Sequence, residues 1–134
     1  MALSADRNTP RVEGPIRRRP VAADTIIYTG ALVAQNTSGN AVPGLTATGL
    51  TALGRAEARA DNTGGAAGDV TVNVRRGIFR FNNSAGGDAI AGDDIGKTAY
   101  IVDDETVALT DGSSSRSAAG KIYDVDAQGV WVEI

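Results

Sequence analysis

Hydrophobic and polar positions alternate along this chain in short runs with a period of two. Val70, Val72 and Val74 alternate with Thr71, Asn73 and Arg75, which puts three aliphatic side chains on one face of an extended segment and polar ones on the other. Arg76-Gly77 then predicts a reversal into Ile78-Phe79-Arg80-Phe81. Residues 25–36 form another β-rich stretch, broken or bulged at Gly30, and Thr37-Ser38-Gly39-Asn40 turns into Ala41-Val42-Pro43. Residues 52–60 have helical propensity, but Ala56, Ala58 and Ala60 alternate with Glu57 and Arg59, and the strand reading is preferred. A Gly/Asp-rich loop fills 82–96. Residues 99–102 and 106–109 flank the acidic tip Asp103-Asp104-Glu105, and residues 120–126 and 130–134 flank Ala127-Gln128-Gly129. Strands about every 8 to 12 residues, with no amphipathic helix, predict an all-β domain: a compact small barrel or sandwich of short antiparallel strands.

The first twenty residues depart from this pattern and show neither a 3.6 nor a 2.0 period. They hold Pro10, Pro15 and Pro20, three of the four prolines, which remove backbone donors and bias the preceding residues toward extended geometry. Arg7, Arg11, Arg17, Arg18 and Arg19 oppose only Asp6 and Glu13 there, a net charge of +3, whereas residues 21–134 carry a net −6. The expected organisation is an extended basic arm over 1–20 and a β-rich body over 21–134. Fully stretched, such an arm reaches up to ~66 Å. It reads either as a solvated terminus or as a segment that orders on a partner. Nucleic-acid binding is the weaker reading, because the body is acidic and the few aromatics do not interleave with the basic cluster.

Composition removes several chemistries. The chain has no Cys and no His, which excludes disulfides, thiolate nucleophiles, Ser-His-Asp triads and sulfur or imidazole metal sites. No apolar run approaches the ~18 residues that span a bilayer, and no apolar secretory stretch opens the chain. Synthesis in a cytoplasm is expected.

Residues 91–98, Ala-Gly-Asp-Asp-Ile-Gly-Lys-Thr, nearly match a phosphate-binding loop. That loop needs a following helix, whereas Ala99-Tyr100-Ile101-Val102 is strand-like, so the segment reads as a turn. The group Asp103, Asp104 and Glu105, and the pair Asp124 and Asp126, lack the full spacing of a calcium loop and read as hairpin carboxylates. In Val130-Trp131-Val132-Glu133-Ile134, alternation sets the sole tryptophan opposite the aliphatics. Trp131 then faces a partner as an interface anchor, or belongs to a strand buried on both faces.

Several of these runs, in their order along the chain, resemble the small head-decoration or capsid-cement proteins of tailed bacteriophages. They are Tyr28-Thr29-Gly30-Ala31-Leu32-Val33 with the closing Ala41-Val42-Pro43-Gly44, the run from Val70 to Phe79, Asp94-Ile95-Gly96-Lys97, the run from Tyr100 to Ala108, and Gly129-Val130-Trp131-Val132. The resemblance implies a structural virion protein, made in the bacterial host cytoplasm, that binds the outer surface of the assembled major-capsid-protein shell. There it reinforces the shell against internal DNA pressure. The implied partners are the major capsid protein and neighbouring copies, as a trimer ahead of a dimer, without direct nucleic-acid or membrane contact. The resemblance transfers no active-site residue, and no enzymatic activity, cofactor or metal is expected. Candidate capsid- or subunit-binding residues are Arg7, Arg11, Arg17, Arg18, Arg19 and Trp131. The alternative is a virion-exposed adhesive or carbohydrate-binding β-module, which predicts a concave site with aromatic and polar lining.

Overall fold

The computed structural model describes residues 2–134, whose regular elements are strands and two short 3-10 turns. The strands are β1 (Ile16–Pro20), β2 (Ile26–Ile27), β3 (Leu32–Gln35), β4 (Ala41–Pro43), β5 (Thr51–Ala56) and β6 (Ala60–Asp61). They continue as β7 (Thr71–Arg75), β8 (Ile78–Phe81), β9 (Thr98–Ile101), β10 (Val107–Ala108), β11 (Ala118–Asp126) and β12 (Gly129–Glu133). One five-stranded sheet has the order β1-β7-β5-β3-β4, a second has the order β10-β9-β11-β12-β8, and β2 pairs with β6. The ladders between these strands are antiparallel. The chain is all-β.

Alternation on β3 explains how the layers stack. Leu32 and Ala34 point into a core with Phe81, Ile101, Ile122, Val130 and Val132 of the second sheet. Val33, one residue out of phase, joins Ile27, Leu53, Val72 and Val74 in a second core. The strand is therefore buried on both faces, with the second sheet on one side and the β2–β6 pair on the other. Burying each of these Leu, Ile and Val side chains contributes about 1.5–3 kcal/mol. Both sheets also curl enough for their opposite edges to touch. Val21, just past β1, bridges Ala41 on β4, and Asn82, just past β8, bridges Thr106 before β10.

One backbone irregularity is required by this packing. The β3–β5 register shifts between Val33 and Ala34, and the extra residue lets both Leu53 and Ala56 face the second core. Gly54 sits there at φ +142°, and a Cβ on it would lie 2.1 Å from the Arg75 carbonyl oxygen. Only glycine fits.

Two expectations are corrected. The arm does not run to residue 20, because Ile16–Pro20 pair with Thr71–Arg75 as the edge strand of the first sheet. Backbone pairing needs no apolar alternation, and Pro20 is tolerated on an edge strand. Arg17 and Arg19 lie opposite the buried Val74 and Val72, where arginine stems can cover the rim of the core while their heads stay wet. The segment without regular structure is thus residues 2–15, and its side-chain charges, Asp6, Arg7, Arg11 and Glu13, sum to zero. The chain exposes 7760 Å², against roughly 6,600 Å² for a compact protein of this mass, as expected for a segment lying off the body.

The second correction concerns Arg76-Gly77. It does not close a hairpin: β7 lies in the first sheet and β8 in the second, paired with β12. A two-residue hairpin turn of type I′ needs positive φ at both positions, but Arg76 is not in that region and Gly77 has φ +157°. The backbone bends at Gly77 and passes from one sheet to the other.

Candidate binding surface

The predicted site residues separate into two places. Arg7 and Arg11 lie on the exposed segment 2–15, where Arg11 pairs with Glu13. Arg17 and Arg18 are exposed on β1, and Arg19 is half-buried, donating from Nη2 to the Gly39 carbonyl at 2.9 Å. Together with Arg76 at the β7–β8 crossing, Arg17 lines a crease of about 370 Å³ shared with Val12, Gly14, Pro15 and Ile16. The Arg76 amide donates to the Pro15 carbonyl at 2.8 Å and fixes where the arm leaves the body. Trp131 lies on the other sheet, in a hollow that contains none of those five arginines.

On β12, Val130 and Val132 are buried and Trp131 projects outward, half-buried. Its indole Nε1 donates to Asp126 Oδ2 at 2.8 Å. That bond, with further bonds from the Gln128 and Gly129 amides, holds the Asp126 carboxyl below the usual carboxylate range. Arg80 lies directly across the β8–β12 ladder from Trp131, its guanidinium 5.6 Å from the indole centroid. A second stack stands beside it, with Arg55 4.7 Å from the Phe79 ring centroid. Glu57 accepts from both Arg55 at 2.8 Å and Arg75 at 3.0 Å. The Arg55 hydrogen bond is the larger cause keeping the Glu57 carboxyl low.

Arg55, Phe79, Arg80 and Trp131 line a hollow of about 280 Å³ with Gly30 on its wall. Gly30 is shared with an adjoining hollow of about 390 Å³, lined by Tyr28, Thr29, Ala31, Asp104 and Glu105. Gly30 takes φ +85° with open space where a Cβ would lie, and the Ala31 amide closes its turn on the Tyr28 carbonyl. The two hollows meet at Gly30, one lined by arginine and aromatic side chains and the other by Tyr28, Asp104 and Glu105.

The remaining acidic motifs are structural. Asp94 is buried, accepting from the Ala91 amide at 2.8 Å and from Lys97 Nζ at 2.8 Å. Lys97, the residue a phosphate loop would use, is occupied there, and β9 rather than a helix follows. Asp103 Oδ1 accepts from the Glu105 amide and Asp124 Oδ1 from the Val125 amide. Among the described residues, no three Asp or Glu side chains converge as a metal site requires.

Sequence reading missed Arg55, Phe79 and Arg80, and it found Asp104 and Glu105 as a hairpin tip without their place beside Gly30. Alternation within residues 78–81 does separate Arg80 from the inward Phe81. Placing it against Trp131, however, requires the β8–β12 pairing, which joins segments some fifty residues apart. Comparison with family models, with curated proteins and with solved structures returns no match to this chain.

Proposed function

We propose that this chain is a structural virion protein that binds the outside of an assembled major-capsid-protein shell and stabilises it against internal DNA pressure. The resemblance of its strand-and-turn runs to phage decoration proteins motivates the reading. The observation that carries it is the arm at the edge of the first sheet. Residues 2–15 lie off the body with Leu3 75% and Val12 93% exposed, beside the exposed Arg17 and Arg18 of β1. Isolated, that segment gains little from ordering, which costs roughly 1–2 kcal/mol per residue in backbone entropy. Against a surface that covers Leu3 and Val12 and pairs with the arginines, it can order.

The test is cosedimentation with purified empty shells. The full chain should bind saturably, and Arg17→Glu with Arg18→Glu should lower occupancy without unfolding the body, because both side chains are exposed. Shells that retain no protein at saturating concentration contradict the proposal.

A second reading, a virion-exposed carbohydrate-binding module, draws support from the hollow lined by Phe79, Trp131, Arg55 and Arg80, which has the concave aromatic and polar lining expected of it. Specific saturable binding in a glycan screen, with no binding to shells, would select this reading instead.

A further inference from the structure

β8 is the outermost strand of its sheet, so one of its two backbone edges has no ladder. Two hydrogen bonds set which residues use that edge. The Ile134 amide donates to the Gly77 carbonyl at 2.9 Å, which turns Gly77 toward β12. The Asn82 amide instead donates to the Glu105 carbonyl at 2.7 Å, away from β12. Alternation between these two points turns Phe79 and Phe81 toward β12, and Ile78 and Arg80 toward the open edge. Among the described residues, no strand pairs with Ile78–Phe81 on that side.

One residue further on, the chain covers this edge itself. Asn82 bridges Thr106 in parallel, and the Val107 amide donates to the Asn82 carbonyl at 3.0 Å. The uncovered stretch, Ile78–Phe81, lines the hollow of about 280 Å³ that also holds Gly30. Nothing lies within 4 Å of the place a Gly30 Cβ would take. Four strand residues make an edge ~13 Å long, enough to pair with a short extended segment. A row of amides and carbonyls at strand spacing matches a peptide backbone, and a sugar ring has no such row.

The lining sets the charge of the occupant. It contains Arg55 and Arg80 and no acidic side chain. Arg55 is held over the Phe79 ring and by Glu57, and Arg80 is held over Trp131 and by Gln128 Oε1. Both guanidinium groups are therefore in place before a ligand arrives, and each has donors beyond those it uses. We infer that the β8 edge takes an extended acidic peptide of another protein as an added strand. Its backbone pairs with Ile78 and Arg80, and its carboxylates meet Arg55 and Arg80. The β8 edge of a second copy is disfavoured, because it would set arginine against arginine. None of Arg17, Arg18, Arg19 or Arg76 lines this hollow, so a peptide can bind here whether or not β1 meets a shell.

The experiment titrates the full chain with a capped synthetic peptide, Thr-Glu-Val-Glu-Val-Glu-Thr, and reads the emission of Trp131, the sole tryptophan and part of the hollow. A saturable shift is expected, and the same peptide with Lys in place of Glu should give none. Methylating one of the two alternate sets of its amide nitrogens should weaken binding about fivefold or more, the worth of lost hydrogen bonds. Arg55→Gln and Arg80→Gln should each weaken it about two- to fivefold, the range for exposed ion pairs, with circular dichroism checking that the body is retained. Arg17→Glu with Arg18→Glu should bind the peptide as the wild type does, so a loss at the β1 edge and a loss at the β8 edge are read apart.

Absence of a saturable shift with the acidic peptide overturns the inference. Equal binding of the lysine peptide does so too, because it leaves Arg55 and Arg80 no role. Equal binding of the parent and both methylated peptides reduces the contact to charge attraction and overturns strand addition. Self-association of the protein in sedimentation velocity, reversed by the peptide, assigns the edge to a second copy and overturns the inference equally. Shell occupancy measured on the same samples reports on the proposed function separately.

Discussion

Asn62 shows how a single polar side chain can hold this fold together. It is 3% exposed, and its Nδ2 donates to the Ala22 and Ala66 carbonyls at 2.9 Å each and to the Val21 carbonyl at 3.4 Å. It thereby ties the exit from β1 to the loop after β6. Asn62→Ala removes the donor of the Ala22 carbonyl, while the Val21 and Ala66 carbonyls keep the Gly68 and Asp69 amides, and it should lower unfolding free energy by about 1–3 kcal/mol, measured by urea denaturation. Gly54→Ala should cost about 1–3 kcal/mol or more in the same measurement, since the new methyl overlaps the Arg75 carbonyl and the backbone is in a region that disfavours alanine. Titrating groups set the acid limit. Asp94 and Asp126 are held below 3.8 chiefly by hydrogen bonds from Lys97 and Trp131, and Glu57 below 4.5 chiefly by Arg55. Carboxyls with lowered folded-state values stabilise fully above their unfolded values and lose that contribution as pH falls through the folded ones. Lys97, raised above 10.5 by Asp94, stabilises fully below that value and loses its contribution as pH rises through the raised one. Urea midpoints should therefore be flat between about pH 5 and 10 and fall on either side. Asp94→Asn should shallow both limbs.

Among the elements, hairpins were legible in the sequence and sheet membership was not. The β3–β4, β9–β10 and β11–β12 pairs each join segments separated by a short connection that contains Gly, Asn, Asp or Ser or, at Ala127-Gln128, is bordered by Asp126 and Gly129, so local alternation and turn chemistry suffice to find them. The β7–β8 crossing looks like one more hairpin until the backbone angles at Arg76 and Gly77 are known. β1 was hidden because its sequence, Ile-Arg-Arg-Arg-Pro, has no apolar face, and its place depends on the free edge of a strand about fifty residues further on. The same nonlocality hid most of the hollow around Trp131: the lone tryptophan stood out, while Arg55 and Arg80 gain meaning only from the strands that bring them beside it. If β1 belongs to the body and residues 2–15 do not, deleting residues 2–13 should leave the melting temperature within about 2 °C, as expected for removal of exposed chain without core contacts. Deletion through residue 20 should lower it markedly, because β7 loses its ladder and Val72 and Val74 lose their cover.

For the whole molecule, the corrected arm boundary changes how charge is arranged. The basic cluster is part of a folded edge rather than a loose tail, with Arg17 and Arg76 meeting in one crease and the neutral segment 2–15 leaving beside them. A rigid basic edge presents its charges without first ordering them, so binding there loses less conformational entropy than binding by a free tail. The acidic residues are spread over residues 21–134, which carry a net charge of −6, and this asymmetry favours one orientation on an acidic surface. Electron cryomicroscopy of purified shells incubated with the protein tests this account most directly. The account predicts density for the β body at repeated positions on the outer surface, with the β1 edge against the shell, and loss of that density for Arg17→Glu with Arg18→Glu. Bare shells at saturating protein, or a body bound with β1 facing solvent, would contradict it.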